Sequence, residues 1–388
     1  MRYLNFLIKQ KDEKYYLYGL TSNVVVRINP YTFQLIKEVG KKSPNELSQE
    51  ETFLYNKLKK YGFIQKEGFS DVPFNRGKLE KLDLQIVSKC NLYCRHCLWS
   101  EFPVTELSYG EIKTILSDFK KLGGFLISIT GGEPLLHKDI LKILKLCRDL
   151  NFQITISTNG LLISNSLIDN FKKFQVARVI VSLDGLKESH EYIRSKNTFD
   201  KTVTNIKSLT KNNIEVAVRM MYYKKSIPCY KEFRNFCKNL GVKTLITAPI
   251  TEMGKASKNK ELLLSKKELK QYYSYGHDQS ILPTERSFIL ACRASKEAIY
   301  ISSEGNVYPC PLLFDFKLGN VTKRRLTEIY KSPNRIFNVI KNFSYKDAVC
   351  GKCSKFTMCQ GGCRGRAYLN GNIYGKDPFA CAAYLKDY

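Results

Sequence analysis

Apolar and polar residues alternate along most of the chain in a repeating strand-and-helix pattern. Six short runs rich in aliphatic residues have the length and composition of buried strands. They lie at residues 83–88, 125–130, 152–157, 177–183, 214–220 and 243–247. Segments with helical spacing of apolar residues separate them, for example 109–124, 138–150 and 230–241. This alternation predicts an α/β fold with a parallel sheet, closed into a partial (β/α)6 TIM-type barrel whose chemistry lies at the carboxyl ends of its strands.

Residues 1–75 have a different pattern. Short alternating runs predict strands, and two segments with helical spacing follow them. Ser48 and Glu51 have the spacing of a capping box, which predicts a helix beginning there. Because this unit contains neither Cys nor His, we interpret it as a small α+β peptide-docking unit, joined by a linker at residues 70–81 to the barrel.

The pattern changes again near residue 288, where helical spacing fades. Seven of the thirteen cysteines lie between Cys292 and Cys381. A small Cys-dense segment rarely buries enough apolar surface to fold alone, so a metal is expected to organise it. The predicted domains are therefore a docking unit at 1–75, a core at 82–287 and a Cys-rich domain at 288–388.

Composition indicates a globular protein of roughly two or three domains, because 43% of the 388 residues are hydrophobic. No run of apolar residues is long enough for a transmembrane helix, and the first residues lack the features of a signal peptide. We therefore expect a cytoplasmic protein. In a reducing compartment, thirteen cysteines indicate metal binding or catalysis rather than disulfides.

The net charge of +27 is compatible with an acidic partner, such as nucleic acid, an anionic surface or an acidic peptide. Lysines are spread along the whole chain, however, and there is no Arg-rich block or basic helix with interleaved aromatic residues. We therefore interpret the charge as general composition and expect neither nucleic acid nor a membrane as a partner.

Three cysteines directly follow the first predicted barrel strand. Cys90, Cys94 and Cys97 have C-x₃-C-x₂-C spacing, with His96 inside the loop. A structural zinc site needs four ligands, and no fourth cysteine follows nearby. Three thiolates on a [4Fe–4S] cluster leave one iron without a protein ligand, and an open metal position is where a substrate or cofactor binds.

This motif, placed after the first strand of a six-fold β/α pattern, resembles that of the radical S-adenosylmethionine (SAM) superfamily. The resemblance implies that the amino and carboxylate groups of SAM chelate the fourth iron. An electron from the cluster then cleaves SAM into methionine and a 5′-deoxyadenosyl radical, which abstracts a hydrogen atom from the substrate. The resemblance also implies an electron donor such as flavodoxin or ferredoxin.

Further residues at strand ends resemble the SAM contacts of the family. The GGEP string after the second strand implies a site for the SAM amino group, and "ISTNG" and "VSLDG" imply contacts to its ribose or carboxylate. The residues so implied are Gly131, Gly132, Glu133, Pro134, Ser157, Asn159, Ser182 and Arg194. Arg219 is an alternative to Arg194 for the carboxylate, and Asp184 and Gly185 are also compatible with a simple turn.

The C-terminal cysteines have the spacing C-x₁₂-G-x₄-C, a gap, C-x₂-C-x₅-C-x₃-C, a gap and C. This pattern resembles the seven-cysteine SPASM domain, which commonly carries two auxiliary [4Fe–4S] clusters. The resemblance implies that Cys350, Cys353, Cys359 and Cys381 hold an outer cluster, and Cys292, Cys310 and Cys363 an inner one. A zinc ribbon would use four of these cysteines and leave three unexplained. We interpret Cys147, Cys229 and Cys237 as core residues.

SPASM domains accompany radical SAM enzymes that modify peptides and proteins. The resemblance therefore implies an oxidoreductase that matures a ribosomally made peptide with a leader sequence, forming an oxidative cross-link such as a thioether or C–C bond. Sulfatase-maturing enzymes are the alternative, but they typically place Asp where this chain has Pro311. A nucleic-acid-modifying radical SAM enzyme and a non-enzymatic iron–sulfur or zinc scaffold are further alternatives.

Overall fold

A computed structural model gives the fold of the protein. It describes residues 6–11, 14–19, 25–39, 42–60, 74–75, 79–99, 103–274, 292, 294–295, 297–332, 348–350, 352–355 and 361–385. Within this part of the chain, no helix is long and apolar enough to cross a membrane. Cys359, a predicted outer-cluster ligand, lies outside the described residues.

The N-terminal unit is a four-stranded sheet with two helices. Its elements are β1 (Phe6–Lys11), β2 (Lys14–Gly19), β3 (Val25–Ile28), α1 (Pro30–Val39), α2 (Gln49–Lys60) and β4 (Phe74–Asn75). The sheet order is β3-β2-β1-β4, so within the described part of the chain β3 is an edge strand. Ile8, Leu17 and Ile36 are buried in a small separate core. The capping box is confirmed, since Ser48 N donates to Glu51 Oε2 at 2.8 Å and Glu51 N to Ser48 Oγ at 3.3 Å.

The central part is the predicted α/β partial barrel, which the structure confirms. Its six parallel strands are β5 (Lys81–Val87), β6 (Leu126–Gly131), β7 (Gln153–Thr158), β8 (Val176–Ser182), β9 (Val216–Tyr222) and β10 (Thr244–Pro249). They are hydrogen-bonded in the order β10-β9-β8-β7-β6-β5. Each strand lies within about two residues of its predicted position, which is the ordinary uncertainty of element boundaries.

Helices connect the strands and cover one face of the sheet. They are α3 (Tyr109–Lys121), α4 (Ile140–Asp149), α5 (Asn165–Lys173), α6 (Lys187–Ile193), α7 (Phe199–Lys211), α8 (Tyr230–Asn239), α9 (Lys255–Lys258) and α10 (Lys266–Ser274). Ser108 caps α3, because its Oγ accepts from Glu111 N at 3.3 Å and Glu111 Oε2 accepts from Ser108 N at 2.7 Å. The buried faces of α3, α4, α5, α7 and α8 join the main hydrophobic core, whereas Ile193 of α6 and Ala256 of α9 belong to a separate small cluster.

Side chains on the barrel strands alternate between an apolar and a more polar face. The apolar face lies in the main core and includes Leu82, Ile127, Ile154, Val179 and Val218. The other face carries half-buried polar residues, including Asp83, Thr130, Ser157, Ser182 and Arg219. Since the helices cover the apolar face, the polar face lines the inside of the barrel, which we call the lumen.

The C-terminal part extends the barrel sheet. Its described elements are β11 (Ala298–Ile301), β12 (Asn306–Tyr308), β13 (Gly319–Asn320), α11 (Leu326–Lys331), α12 (Arg364–Leu369) and α13 (Pro378–Tyr384). Strand β11 pairs in parallel with β5, with Tyr300 opposite Asp83. The Cys-rich part is therefore joined to the barrel by main-chain hydrogen bonds at its first strand.

Candidate functional site

The loop carrying the first three cysteines lies at the carboxyl end of β5. Cys94 is buried, and Cys90 and Cys97 are half-buried. Main-chain bonds fix the loop from one side, because Arg95 N donates to Ile193 O at 2.8 Å. Burial raises the pKa of the Cys94 thiol to about 11. A positive centre is therefore needed to hold this sulfur as a thiolate.

A second segment holds the same loop from the other side. Lys255 N donates to Cys97 O at 3.0 Å, and Asn259 Nδ2 donates to Arg95 O at 3.0 Å. Gly254 has φ of +53°, and a Cβ there would lie 2.5 Å from Cys97 O and 2.8 Å from Leu98 O. Only glycine fits this approach, because both obstructing atoms belong to the main chain.

The GGEP loop packs directly against the strand that leads to Cys90. Gly132 N donates to Val87 O at 2.7 Å, and Glu133 N donates to Lys89 O at 2.9 Å. A Cβ on Gly132 would lie 2.5 Å from Lys89 O. The double glycine therefore brings the second strand end against the cysteine loop, as the sequence interpretation requires.

Glu133 connects two strand ends in addition to any role in binding a ligand. Its side chain is fully buried. Oε1 accepts from Thr158 Oγ1 at 2.8 Å and from Leu135 N at 3.1 Å, while Oε2 accepts from Asn159 N at 2.8 Å. Burial raises the pKa of Glu133, and these hydrogen bonds act against that rise. Since each carboxylate oxygen can accept about two bonds, Oε2 retains capacity for a ligand ammonium group.

Asn159 links the third strand end to the cysteine loop. Its Nδ2 donates to Asn91 Oδ1 at 2.8 Å, and Asn91 directly follows Cys90. Ser157 and Ser182 lie on the lumen face near the carboxyl ends of β7 and β8. The predicted contact residues therefore gather at one end of the barrel.

Arg194 contacts both a carboxylate and the cysteine loop. Its Nε donates to Asp184 Oδ2 at 2.5 Å, and its Nη1 lies 3.9 Å from Cys94 Sγ. Asp184 Oδ1 also accepts from Met221 N at 2.7 Å. Burial acts most strongly and lowers the pKa of Arg194, but the charge and hydrogen bond of Asp184 together with the Cys94 and Cys90 sulfurs outweigh it, so the pKa stays above its ordinary value. The guanidinium is thus a permanent positive charge beside the Cys94 sulfur.

Sequence reasoning left Asp184 open as a simple turn residue. Gly185 does make a turn, with φ of +111°, but Asp184 is fully buried and is the ion-pair partner of Arg194. The signal available in the sequence was the ten-residue spacing of a carboxylate and a guanidinium across one short helix. That spacing is common, so only the fold distinguishes this pair.

Two imidazoles lie close to this ion pair. Burial lowers the pKa of His96 to about 4 and that of His190 to about 4. His190 Nδ1 accepts from Asp184 N at 3.2 Å. Both rings are therefore neutral at physiological pH, and they leave Arg194 as the cation nearest the Cys94 sulfur within the described part of the chain.

The loop that follows Cys97 packs against the C-terminal strands. The Trp99 ring stacks on Tyr300 with centroids 5.3 Å apart and meets Phe314 edge-on at 5.1 Å. Tyr308 also contacts Phe314 at 5.2 Å. Aromatic side chains therefore connect the first cysteine loop to the segment that carries Cys310.

Three of the C-terminal cysteines lie close together. Burial raises the pKa of Cys292 and of Cys310, and a Cys363 thiolate would raise both further by charge repulsion. Asp377 fixes the backbone near Cys363, because its Oδ2 accepts from Cys363 N at 2.7 Å. This group is the one that the sequence interpretation gave to an inner cluster.

A second group belongs to the predicted outer cluster. Cys353 N donates to Cys350 O at 2.9 Å, and the two cysteines share a small apolar cluster with Tyr374. Cys381 N donates to Asp377 O at 3.0 Å. Away from both groups, Cys147 and Cys237 are fully buried in the main core, as expected, and Cys229 is half-buried at the start of α8.

The cysteine groups supply the thiol ligands that iron–sulfur clusters use. Among the described residues, no three His, Cys, Asp or Glu side chains converge on one ion position. A zinc ion would need all its sulfur ligands within about 2.3 Å. In a [4Fe–4S] cluster each thiolate binds a different iron, so grouped sulfurs that do not converge on one point are compatible with a cluster.

Comparisons with known families agree with this arrangement. Residues 84–237 match the Radical SAM superfamily, and residues 292–354 match SPASM, an iron–sulfur cluster-binding domain. Among curated proteins, the AdoMet-dependent heme synthase of Oleidesulfovibrio alaskensis is 24% identical over 76% of this chain and 85% of that protein. Mycofactocin maturase MftC of Mycolicibacterium smegmatis is 23% identical over 76% of this chain and 81% of that protein.

Two solved structures share the fold. SuiB of Streptococcus suis bound to S-adenosylmethionine has a TM-score of 0.69 and 19% identity, covering 98% of this chain and 100% of that chain. The protein anSMEcpe with bound AdoMet has a TM-score of 0.63 and 20% identity, covering 79% of this chain and 91% of that chain. The likeness to SuiB thus includes nearly the whole length of both chains.

Proposed function

The chain is a radical SAM enzyme with a C-terminal SPASM iron–sulfur domain, and on this premise we propose that it matures a ribosomally made peptide. The observation that carries the proposal is the three-part architecture. An open-edged N-terminal sheet precedes the barrel, and the Cys-rich part follows it. In support, the structural match to SuiB covers 98% of this chain and 100% of that chain, and a structure of SuiB is bound to its precursor peptide SuiA. We retain domain limits of 1–75, 82–287 and 288–388 as part of the proposal.

We assign the cofactor contacts from the geometry described above. Cys90, Cys94 and Cys97 are the proposed ligands of the SAM-binding [4Fe–4S] cluster, and Glu133 Oε2 the proposed acceptor for the SAM ammonium group. When bound, the cluster and SAM together supply a 5′-deoxyadenosyl radical that removes a hydrogen atom from the substrate. Arg194 places a fixed positive charge at Cys94, which favours its thiolate form.

Around this centre, several strand-end residues bind or orient SAM in the proposal. Gly131, Gly132 and Pro134 shape the loop, while Ser157, Asn159 and Ser182 supply hydrogen-bonding groups along the rim of the lumen. The cysteine groups of the C-terminal part are the proposed ligands of two auxiliary clusters. They comprise Cys292, Cys310 and Cys363 for the inner cluster, and Cys350, Cys353, Cys359 and Cys381 for the outer one.

The N-terminal unit supports a role in holding the precursor peptide. Strand β3 pairs with β2 on one side, and among the described residues no strand pairs with its other side. An extended peptide can add to such an edge through main-chain hydrogen bonds. Val26 and Arg27 on β3 are exposed, so their side chains are available to select a leader sequence.

Co-expression with candidate precursor peptides tests the proposal. Intact-mass measurement is expected to show a peptide lighter by about two mass units, because an oxidative cross-link removes two hydrogen atoms. A variant with Cys90, Cys94 and Cys97 all changed to Ala is the control and is expected to leave the mass unchanged. An unmodified peptide from every candidate, under conditions where SAM is cleaved, would count against peptide maturation.

A tetrapyrrole substrate is the second candidate, because several curated relatives are named heme synthases or an Fe-coproporphyrin III synthase. Those relatives match 76% to 81% of this chain in sequence, whereas the structure of SuiB covers 98% of it. The sulfatase-maturing alternative is disfavoured by Pro311, which stands where an Asp is expected. The nearby Asp315 instead accepts a hydrogen bond from Tyr368 at 2.8 Å.

A further inference from the structure

Two strands of the barrel present charged side chains to the lumen. Asp83 on β5 alternates with Leu82 and Leu84, and Arg219 on β9 alternates with Val218 and Met220. These apolar neighbours are buried in the main core, so both charged residues face the opposite side of the sheet. Three strands separate β5 from β9 in the sheet, and the curvature of the barrel turns the two walls towards each other.

Arg219 is a cation for which the described part of the chain supplies no hydrogen-bonding or ion-pair partner. It lies beside Ser182 in the β8–β9 register, at the carboxyl end where the other site residues gather. Burial lowers the pKa of Arg219, and the positive charge of Arg194 lowers it further. The negative charge of Asp83 raises it and offsets part of this decrease. A guanidinium is charged at any physiological pH, so removing it from water without a partner is unfavourable. A ligand with an acceptor oxygen would meet this need.

The facing wall offers both an acceptor and donors. Asp83 Oδ1 bonds Lys81 Nζ at 2.9 Å, and the carboxylate is about a quarter exposed. Gln85 lies two residues along the same face, and its Oε1 accepts from Tyr300 at 2.9 Å and from Ser303 N at 3.1 Å. Because Ser303 N is only a donor, the Gln85 amide nitrogen must point elsewhere, and among the described residues it has no partner although it is buried.

From these observations, and on the premise that the substrate is a peptide, we propose that Arg219 and Asp83 bind the backbone of an extended peptide segment in the lumen. Arg219 donates to a carbonyl oxygen of the segment, and Asp83 accepts from one of its N–H groups. A peptide supplies both groups at every residue, so opposite charges on facing walls suit it. A tetrapyrrole with several carboxylates is attracted by the positive charge of Arg219 but is repelled by the negative charge of Asp83.

Binding experiments on the reconstituted full-length protein test this pair. The probes are the capped tripeptide acetyl-Ala-Ala-Ala-amide, SAM and iron-coproporphyrin III, measured by saturation-transfer NMR or calorimetry. Arg219→Gln and Asp83→Asn are each expected to weaken tripeptide binding by about tenfold or more, while SAM affinity stays unchanged. Arg219→Lys, which keeps the charge but not the planar fork, is expected to lose less. Arg324→Gln, an exposed arginine, is the matched control and is expected to change nothing.

Other results would overturn the inference. Loss of SAM affinity in Arg219→Gln, with the tripeptide unaffected, would assign Arg219 to the cofactor. Tight binding of iron-coproporphyrin III that weakens in Arg219→Gln and strengthens in Asp83→Asn would assign the lumen to a tetrapyrrole. Failure of the wild-type protein to bind the tripeptide also contradicts it.

The co-expression experiment separates this inference from the proposed function. If the wild-type protein modifies a peptide and both lumen variants bind the tripeptide normally, the assignment of Arg219 and Asp83 to peptide binding is wrong and the proposal of peptide maturation stands. If the variants lose tripeptide binding and no peptide is modified, Arg219 and Asp83 are still a peptide-binding site, but the proposal of peptide maturation is contradicted.

Discussion

Changing Glu133 to Gln tests whether the loop after β6 is held by a buried carboxylate. Two of the three hydrogen bonds that Glu133 accepts come from main-chain N–H groups, Leu135 N on Oε1 and Asn159 N on Oε2. These groups can only donate. Whichever way a glutamine amide is turned, its NH₂ end faces one of them, so one buried N–H loses its acceptor.

The size of the effect follows from this count. Losing a hydrogen bond to a charged group and leaving a buried donor unsatisfied together cost about 3 kcal/mol. For a domain of roughly 150–250 residues, such as the barrel, a loss of about 3 kcal/mol corresponds to a fall in melting temperature of roughly 6–12 °C. Because the hydrogen bonds are internal, the loss is expected even without cluster or SAM.

Thermal unfolding of the cluster-free protein, followed by circular dichroism, measures the change. Glu232→Gln on the exposed side of α8 is the matched control and is expected to alter the melting temperature little. Equal melting temperatures for Glu133→Gln and the wild-type protein would refute the structural role. A fall in melting temperature that appears only when SAM is present would mean that Glu133 acts as a ligand contact and not as an internal support of the loop.

Three further changes test other parts of the structure. Gly254→Ala is expected to displace the cysteine loop, because its Cβ would strike Cys97 O, and iron content after reconstitution is expected to fall markedly. The hydrogen bonds and charge of Arg325 lower the pKa of Asp118 in the folded protein. The ion pair therefore stabilises the fold above the ordinary pKa of an aspartate, and this stabilisation is lost as pH falls below about 4. Between pH 7 and pH 3.5, the urea midpoint of unfolding is expected to change less for Asp118→Asn than for the wild-type protein. An equal change in both proteins would contradict a stabilising Asp118–Arg325 ion pair. Val26→Pro is expected to weaken precursor binding without altering SAM cleavage, as measured by fluorescence anisotropy, and unchanged binding would argue against docking on β3.

Local sequence predicted the elements of the barrel because each strand is short, aliphatic and bounded by clear turns. The first and fifth barrel strands were expected at 83–88 and 214–220, and they form at Lys81–Val87 and Val216–Tyr222. The cysteine triplet and GGEP string were also informative, since glycines and thiols in fixed spacing have few structural uses.

Contacts between distant segments were not predictable in the same way. The pairing of β11 with β5 joins residues more than two hundred positions apart, and no local pattern encodes it. The ion pair of Asp184 with Arg194, and its approach to Cys94, depends on how α6 returns to the cysteine loop. Gln85 and Asp83 read as ordinary strand residues until the face on which they lie is known.

The central claim is that three cysteines at the carboxyl end of the barrel hold a cluster whose open iron binds SAM. The direct measurement is chromatographic detection of 5′-deoxyadenosine after anaerobic reconstitution and reduction with dithionite in the presence of SAM. The account predicts its formation by the wild-type protein and its absence from the variant with Cys90, Cys94 and Cys97 changed to Ala. Intact SAM in the wild-type reaction, or equal cleavage by the variant, would contradict the account.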